Sequence, residues 1–166
     1  VGNLIISGIF QDSIDVDPST ANNLLYGNGT TDGFLIKLDN NGDFIWTKHF
    51  DALPGSGNFA LNHIATDANG AIYAIGDFLG EVNFDSSVQI ASQRKAFLIK
   101  LSSNGTEEWL QQFGENGSNQ GRKIQCRANG TISVGMDLGG SISLNNGAFV
   151  FASLGGTDGL IIDLDA

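Results

Sequence analysis

The residues able to do chemistry are few. The chain has two histidines, His49 and His63, and one cysteine, Cys126. A zinc site or a thiol nucleophile with a histidine base needs such groups at recognised spacings, and these stand at none. No metal and no catalytic role is therefore expected of them. One cysteine also leaves no partner for an intramolecular disulfide. No glycine-rich loop precedes a helical pattern, so nothing here cradles phosphate. The 18 acidic side chains supply many carboxylates. A glycoside hydrolase needs only two, but none stands out in an apolar setting, and no catalytic residue is assigned.

Two acidic patterns bear on calcium. Asp39-Asn-Asn-Gly-Asp43 is oxygen-rich, but it lacks the glycine and terminal glutamate of a calcium-binding loop at their required spacing. The related Ser102-Ser-Asn-Gly-Thr106 has neither carboxylate. Asp15 and Asp17 alternate along one strand face, with Asn83 and Asp85 at the same positions of a later copy. That stripe is the one feature that would admit Ca2+, and a solvated strand face accounts for it better. No cofactor is expected.

The bulk properties exclude several classes. The 166 residues carry a formal net charge of -10, with 8 basic side chains. Phosphate neutralisation needs clustered Lys and Arg, so nucleic acid and anionic membrane surfaces are poor partners. No apolar run approaches the ~18 residues of a membrane-spanning helix. The 23 glycines and recurring Asn and Asp separate short apolar runs, as in many strands joined by tight turns.

Those turns belong to a repeat. Phe34-Leu-Ile-Lys-Leu38 recurs 63 residues later as Phe97-Leu-Ile-Lys-Leu101. The same shift carries Asn41-Gly42 to Asn104-Gly105, Trp46 to Trp109, Phe50 to Phe113 and Phe97 to Leu160. Gly2 to Gly8 matches Gly70 to Gly76 and Gly130 to Gly135, and Ile64 to Gly70 matches Ile124 to Gly130. Cys126 thus takes the place of Thr66, where a small buried residue is ordinary. One unit holds four strands: Ile64 to Asp67, Ala71 to Asp85, Ala96 to Leu101 and Glu107 to Phe113. Asn-Gly turns, with two residues tolerant of positive φ, close the first and third hairpins. The unit is an antiparallel four-stranded meander, and such a sheet repeated radially is a β-propeller blade. The expected fold is all-β, an incomplete ring in this chain. Residues 1–60 give the last three strands of one blade, 61–120 a full blade, and 121–166 the first three strands of the next. The register starts at Val1 and stops at Ala166 in mid-blade. Further blades of a longer chain, or self-association of copies, are therefore expected to complete the ring.

The units resemble the bacterial SBBP-type β-propeller repeat. The resemblance rests on Asp32-Gly-Phe-Leu-Ile-Lys-Leu-Asp-Asn-Asn-Gly42, Trp46 and Ile64 to Gly76, and on Lys95 to Gly114, which keeps Phe97, Asn104-Gly105, Trp109 and Phe113-Gly114. Lys95 and Arg127 stand where the family pattern is acidic, while Asp67 and Asp158 keep it. The resemblance implies a large secreted or cell-surface bacterial protein, and assigns no activity.

The repeat also explains other candidates. Asn28, Asn104 and Asn129 precede Gly-Thr and Asn116 precedes Gly-Ser, matching an N-glycosylation pattern, but turn geometry accounts for them. Trp46 and Trp109 could stack on sugars, yet a repeat-phased tryptophan more often packs between blades. The longer connections, Ser19 to Thr31, Asp51 to Asn62, Ser86 to Arg94, Gly114 to Gly121 and Asn146 to Thr157, are expected as loops on the face opposite the tight turns. Binding residues concentrate on such loops. There the first strands start, with Asn62-His63 and Arg122-Lys123. These four residues are the candidate ligand-binding set, suited to an anionic ligand. The expected function is a non-catalytic binding or adhesion module for a protein or glycan. A structural scaffold, or part of a carbohydrate-active enzyme, are the other readings.

Overall fold

A computed structural model describes residues 2–55, 57–144 and 147–165. Val1 and Ala166, where the repeat register starts and stops, and Asn146, at the start of the last expected loop, lie outside these. The described residues form thirteen strands and no helix. They are β1 (Leu4–Phe10), β2 (Ser13–Asp15), β3 (Leu24–Tyr26), β4 (Asp32–Leu38), β5 (Phe44–Ala52), β6 (Asn58–Thr66) and β7 (Ile72–Asn83). After them come β8 (Val88–Leu101), β9 (Glu107–Phe113), β10 (Asn116–Cys126), β11 (Thr131–Leu144), β12 (Phe149–Ala152) and β13 (Asp158–Asp165). Every strand pairing with a described register is antiparallel, so the expected all-β class with antiparallel sheets is observed.

The chain divides into two compact units, Val1–Leu61 with Gly80–Ile90, and Asn62–Leu79 with Ala91–Ala166. In the first, β4 pairs with β1 and β5, and the end of β5 pairs Asp51 with Asn83 and Ala52 with Val82. One core cluster gathers Phe10, Val16, Phe34, Ile36 and Leu38. Nearby in sequence, Phe50 and Phe59 stack at 5.1 Å, and Phe84 meets both edge-on. Gly33 admits this stack, because a Cβ there would lie 2.2 Å from the Phe59 ring. Lys48, itself buried, is ion-paired with Asp85.

In the second unit, β8 pairs with β9, and β10, β12 and β13 all pair with β11. Alternate residues of successive repeats share one core. Tyr73, Ile75, Ala96, Leu98 and Phe113 contribute from one repeat, and Ile124, Ile132, Val134, Met136 and Ile142 from the next. Trp109 packs against this cluster and lies 6.1 Å from the Tyr73 ring.

Two expectations need correction. Among the described residues, only Asp12 and Asp85 are non-glycine residues with positive φ. In the four tight turns the Asn of the Asn-Gly pair is therefore in ordinary backbone, and the following Gly42, Gly70, Gly105 or Gly130 is left-handed. The turns are five-residue loops, not two-residue ones. In each, the first residue's N–H donates to the fifth carbonyl, and the glycine N–H donates back to the first carbonyl. A single left-handed glycine closes each type I turn, and the bulges after Lys37 and Lys100 lie one residue pair beyond the turns.

The long connections are also shorter than expected. β8 already runs from Val88, β10 from Asn116 and β6 from Asn58, while β3 and β12 occupy parts of the other two connections. Ladder hydrogen bonds come from the backbone, so polar stretches such as Asn116-Gly-Ser-Asn-Gln120 pair with Ser141 to Asp137 residue by residue. Reading Gly, Asn and Ser as loop residues concealed these strands.

Candidate functional site

Because the ladders extend so far, Asn62 and His63 lie inside β6, and Arg122 and Lys123 inside β10, rather than at strand starts. All four belong to the second unit, and the two strands meet there. The Asn62 amide donates to the Gly121 carbonyl at 2.7 Å and to the Asp77 carboxylate at 2.9 Å. The Ile124 N–H donates to His63 Nδ1 at 3.4 Å, so the neutral ring carries its proton on Nε2. Asp77 is buried and also ion-paired with Arg94.

The four residues differ in what they leave available. Both amide hydrogens of Asn62 are used internally. Arg122 is the unpaired residue of a bulge between Gly121 and Lys123. Its Nε and Nη2 both lie 2.7 Å from Asp137 Oδ2. Lys123 is exposed and has no ion-pair partner among the described residues. It lines a cleft of about 400 Å3 together with His63, Gln125, Ser133, Gly135 and Ile161. Ile161 keeps 78% of its surface exposed there. The structure thus brings His63 and Lys123 to one cleft and commits Asn62 and Arg122 to partners within the fold.

The calcium candidates are occupied by their own backbone. Asp39 Oδ1 accepts from the N–H groups of Asn41 and Asp43. These bonds hold its carboxyl below the usual carboxylate range. Asp67 Oδ1 does the same for Asn69 and Ala71. Asp15 Oδ1 accepts from Asp17 and Asn23, and Asn83 Oδ1 from Asp85.

A cluster that spacing alone did not reveal lies in the first unit. Asp32 opens β4, and His49 and Asp51 are alternate residues of β5. The Gly33–Phe50 pairing sets Asp32 beside them. One ligand atom from each of the three lies within 4.8 Å of the others. His49 Nε2 is 3.5 Å from Asp32 Oδ1, and it is buried with no hydrogen-bond partner. Asp32 is fully buried and accepts from the N–H groups of Ala52 at 2.9 Å and Gly29 at 3.3 Å. Burial pushes its carboxyl upward against the pull of those bonds and of His49, and Asp51 adds to the rise. Asp51 accepts from Asn28 Nδ2 at 3.0 Å. The signal available in sequence was the repeat itself. The 63-residue shift replaces the trio with Lys95, Gln112 and Gly114.

Cys126 borders a polar hollow of about 340 Å3 with Asp67, Tyr73, Lys100 and Arg127. Burial first, and then the Asp67 charge, raise its thiol. Such a thiol is a poor nucleophile. The chain matches no protein-family model and no curated protein.

Proposed function

We propose that this chain is a non-catalytic binding module built from β-propeller blades of the SBBP type, part of a secreted or cell-surface bacterial protein. The observation carrying the reading is the cleft that sets an unpaired lysine, Lys123, beside His63 and the exposed Ile161 in an otherwise acidic chain. A cation over a partly apolar floor suits a ligand with a carboxylate and an apolar edge, such as an acidic sugar or a carboxylate-bearing partner. The shared core of successive repeats in the second unit supports the blade reading.

The test is titration of uronic and sialic acids into the isotope-labelled chain, followed by NMR. Shifts confined to His63, Lys123, Ser133 and Ile161, and lost in Lys123→Ala, are the expected result. Saturable binding that Lys123→Ala leaves unchanged moves the site elsewhere. No shift with any acidic ligand favours the scaffold reading. That reading draws its support from Asn62 and Arg122, whose polar groups serve the fold. In either reading, Leu4 and Ile6 of β1 leave an exposed apolar strip, which fits a further blade or a second copy.

A further inference from the structure

We propose that Asp32, His49 and Asp51 form a binding site for a divalent transition-metal ion, with zinc as the best fit. One imidazole nitrogen and two carboxylate oxygens make a mixed donor set suited to zinc and its neighbours, with a fourth position left for water. The geometry is close to what such an ion requires. Zinc bonds of about 2.0–2.2 Å in a tetrahedron place ligand atoms about 3.4 Å apart. His49 Nε2 and Asp32 Oδ1 are 3.5 Å apart. All three ligand atoms lie within 4.8 Å of one another, so the third has up to about 1.4 Å to close. Asp51, at the partly exposed end of the trio, is the group able to move.

Three further observations point to a cation. First, the buried Nε2 lacks a hydrogen-bond partner and faces a carboxylate oxygen. Second, Asp32 and Asp51 set like charges side by side on paired strands, where they repel. A cation between them removes that repulsion. Third, both carboxylates are held from outside the cluster, Asp32 by Ala52 and Gly29 and Asp51 by Asn28. Supporting bonds of this kind orient ligands in metal sites. The repeat reinforces the argument. In the next copy all three donors are gone together, and a lysine stands in the place of Asp32.

The rival occupant is a proton, which would make His49 a cation held by two carboxylates. The two are separated by titrating the chelator-treated chain with Zn2+ by calorimetry and with Co2+ by visible absorption. The expected result is one equivalent bound, with the cobalt spectrum of a site of low coordination number. His49→Ala and Asp51→Asn should each weaken binding at least a hundredfold. Asn28→Ala should weaken it about tenfold, as loss of a supporting bond does. Asp43→Asn, in an exposed turn, should change nothing. Asp51 and His49 are partly exposed, so circular dichroism of their variants verifies that the fold survives. Absence of stoichiometric Zn2+ and Co2+ binding at 100-fold excess of metal overturns the proposal. So does binding that His49→Ala and Asp51→Asn leave intact.

Discussion

The side-chain amide of Asn62 donates to the backbone carbonyl of Gly121 at 2.7 Å, joining β6 to β10 inside the second unit. The approach is close because Gly121 has no side chain. A Cβ there would lie 2.4 Å from Ile75 Cγ1 and 2.7 Å from the Gly76 carbonyl oxygen. Both residues therefore act on stability. Asn62→Ala removes a donor from the buried Asp77 and should cost about 1–3 kcal/mol. Gly121→Ala overpacks the same contact and should cost about 1–3 kcal/mol or more. Urea denaturation measures both. Two variants as stable as the parent would show that the two strands do not depend on this contact.

The turn glycines are the second case. Gly42, Gly70, Gly105 and Gly130 have φ between 82° and 92°. Replacing any of them with alanine should cost about 1–2 kcal/mol, the cost of a side chain in left-handed backbone. Asn41 and Asn104 are in ordinary backbone, so Asn→Ser there should stay within about 0.5 kcal/mol. Equal sensitivity of Asn and Gly positions in thermal melts would refute this assignment of the turn type.

Asp39 gives the turns a pH dependence with a definite sign. Its carboxyl, bonded by Asp43 and Asn41, ionises below the ordinary value of 3.8. The folded state thus binds the proton less well than the unfolded state. Its contribution is present above the ordinary carboxylate range and is lost as pH falls through the lower folded value. Asp39→Asn should flatten the acid limb of the stability curve and leave the neutral region parallel to the parent. An unchanged acid limb would mean that the side-chain bonds do not persist in solution.

The repeat made the fold readable because Asn-Gly pairs and the Phe34 and Phe97 motifs recur at one shift. Such a shift reports hairpin connectivity directly. It did not report strand length, because the backbone of Asn116 to Gln120 pairs as well as that of any apolar strand. Half of the candidate site was readable in the same way. The match between strands containing His63 and Lys123 placed them near each other, but the carboxylate that takes up Arg122 lies on β11 and follows only from register. The Asp32–His49–Asp51 cluster was hidden for a related reason. It depends on which residue of β4 stands opposite Phe50, and no local spacing states that.

Cys126 offers a probe of local burial. Burial and the Asp67 charge raise its thiol above the usual range. The neutral thiol is therefore favoured by folding, and its contribution is full below the unfolded pKa. It is lost as pH rises through the folded value. Since only the thiolate reacts, iodoacetamide should label the native chain several-fold more slowly at pH 8 than the urea-unfolded chain. The pH midpoint of labelling should be higher in the native state. Asp67→Asn should lower that midpoint slightly, because it removes the smaller of the two causes. Equal rates in both states would show the thiol to be solvated.

The apolar strip on β1 yields the last prediction. Leu4 and Ile6 keep 52% and 42% of their surface exposed, whereas Ile72 and Ala74, their counterparts in the next repeat, keep none. Covering a Leu or Ile completely is worth about 1.5–3 kcal/mol, so covering the exposed half of each should contribute about 1 kcal/mol. Two such residues, with Ile14 beside Ile6 in one groove, are enough to bias the chain toward association. Sedimentation equilibrium should therefore detect concentration-dependent association. Ile6→Lys should weaken it by at least tenfold while leaving the circular dichroism spectrum unchanged, because covering this strip would then desolvate an ammonium group. A chain that stays monomeric up to millimolar concentration would exclude self-association through β1. Association that Ile6→Lys does not weaken would place the contact on another surface, of which the cleft beside Lys123 and Ile161 is the next to test.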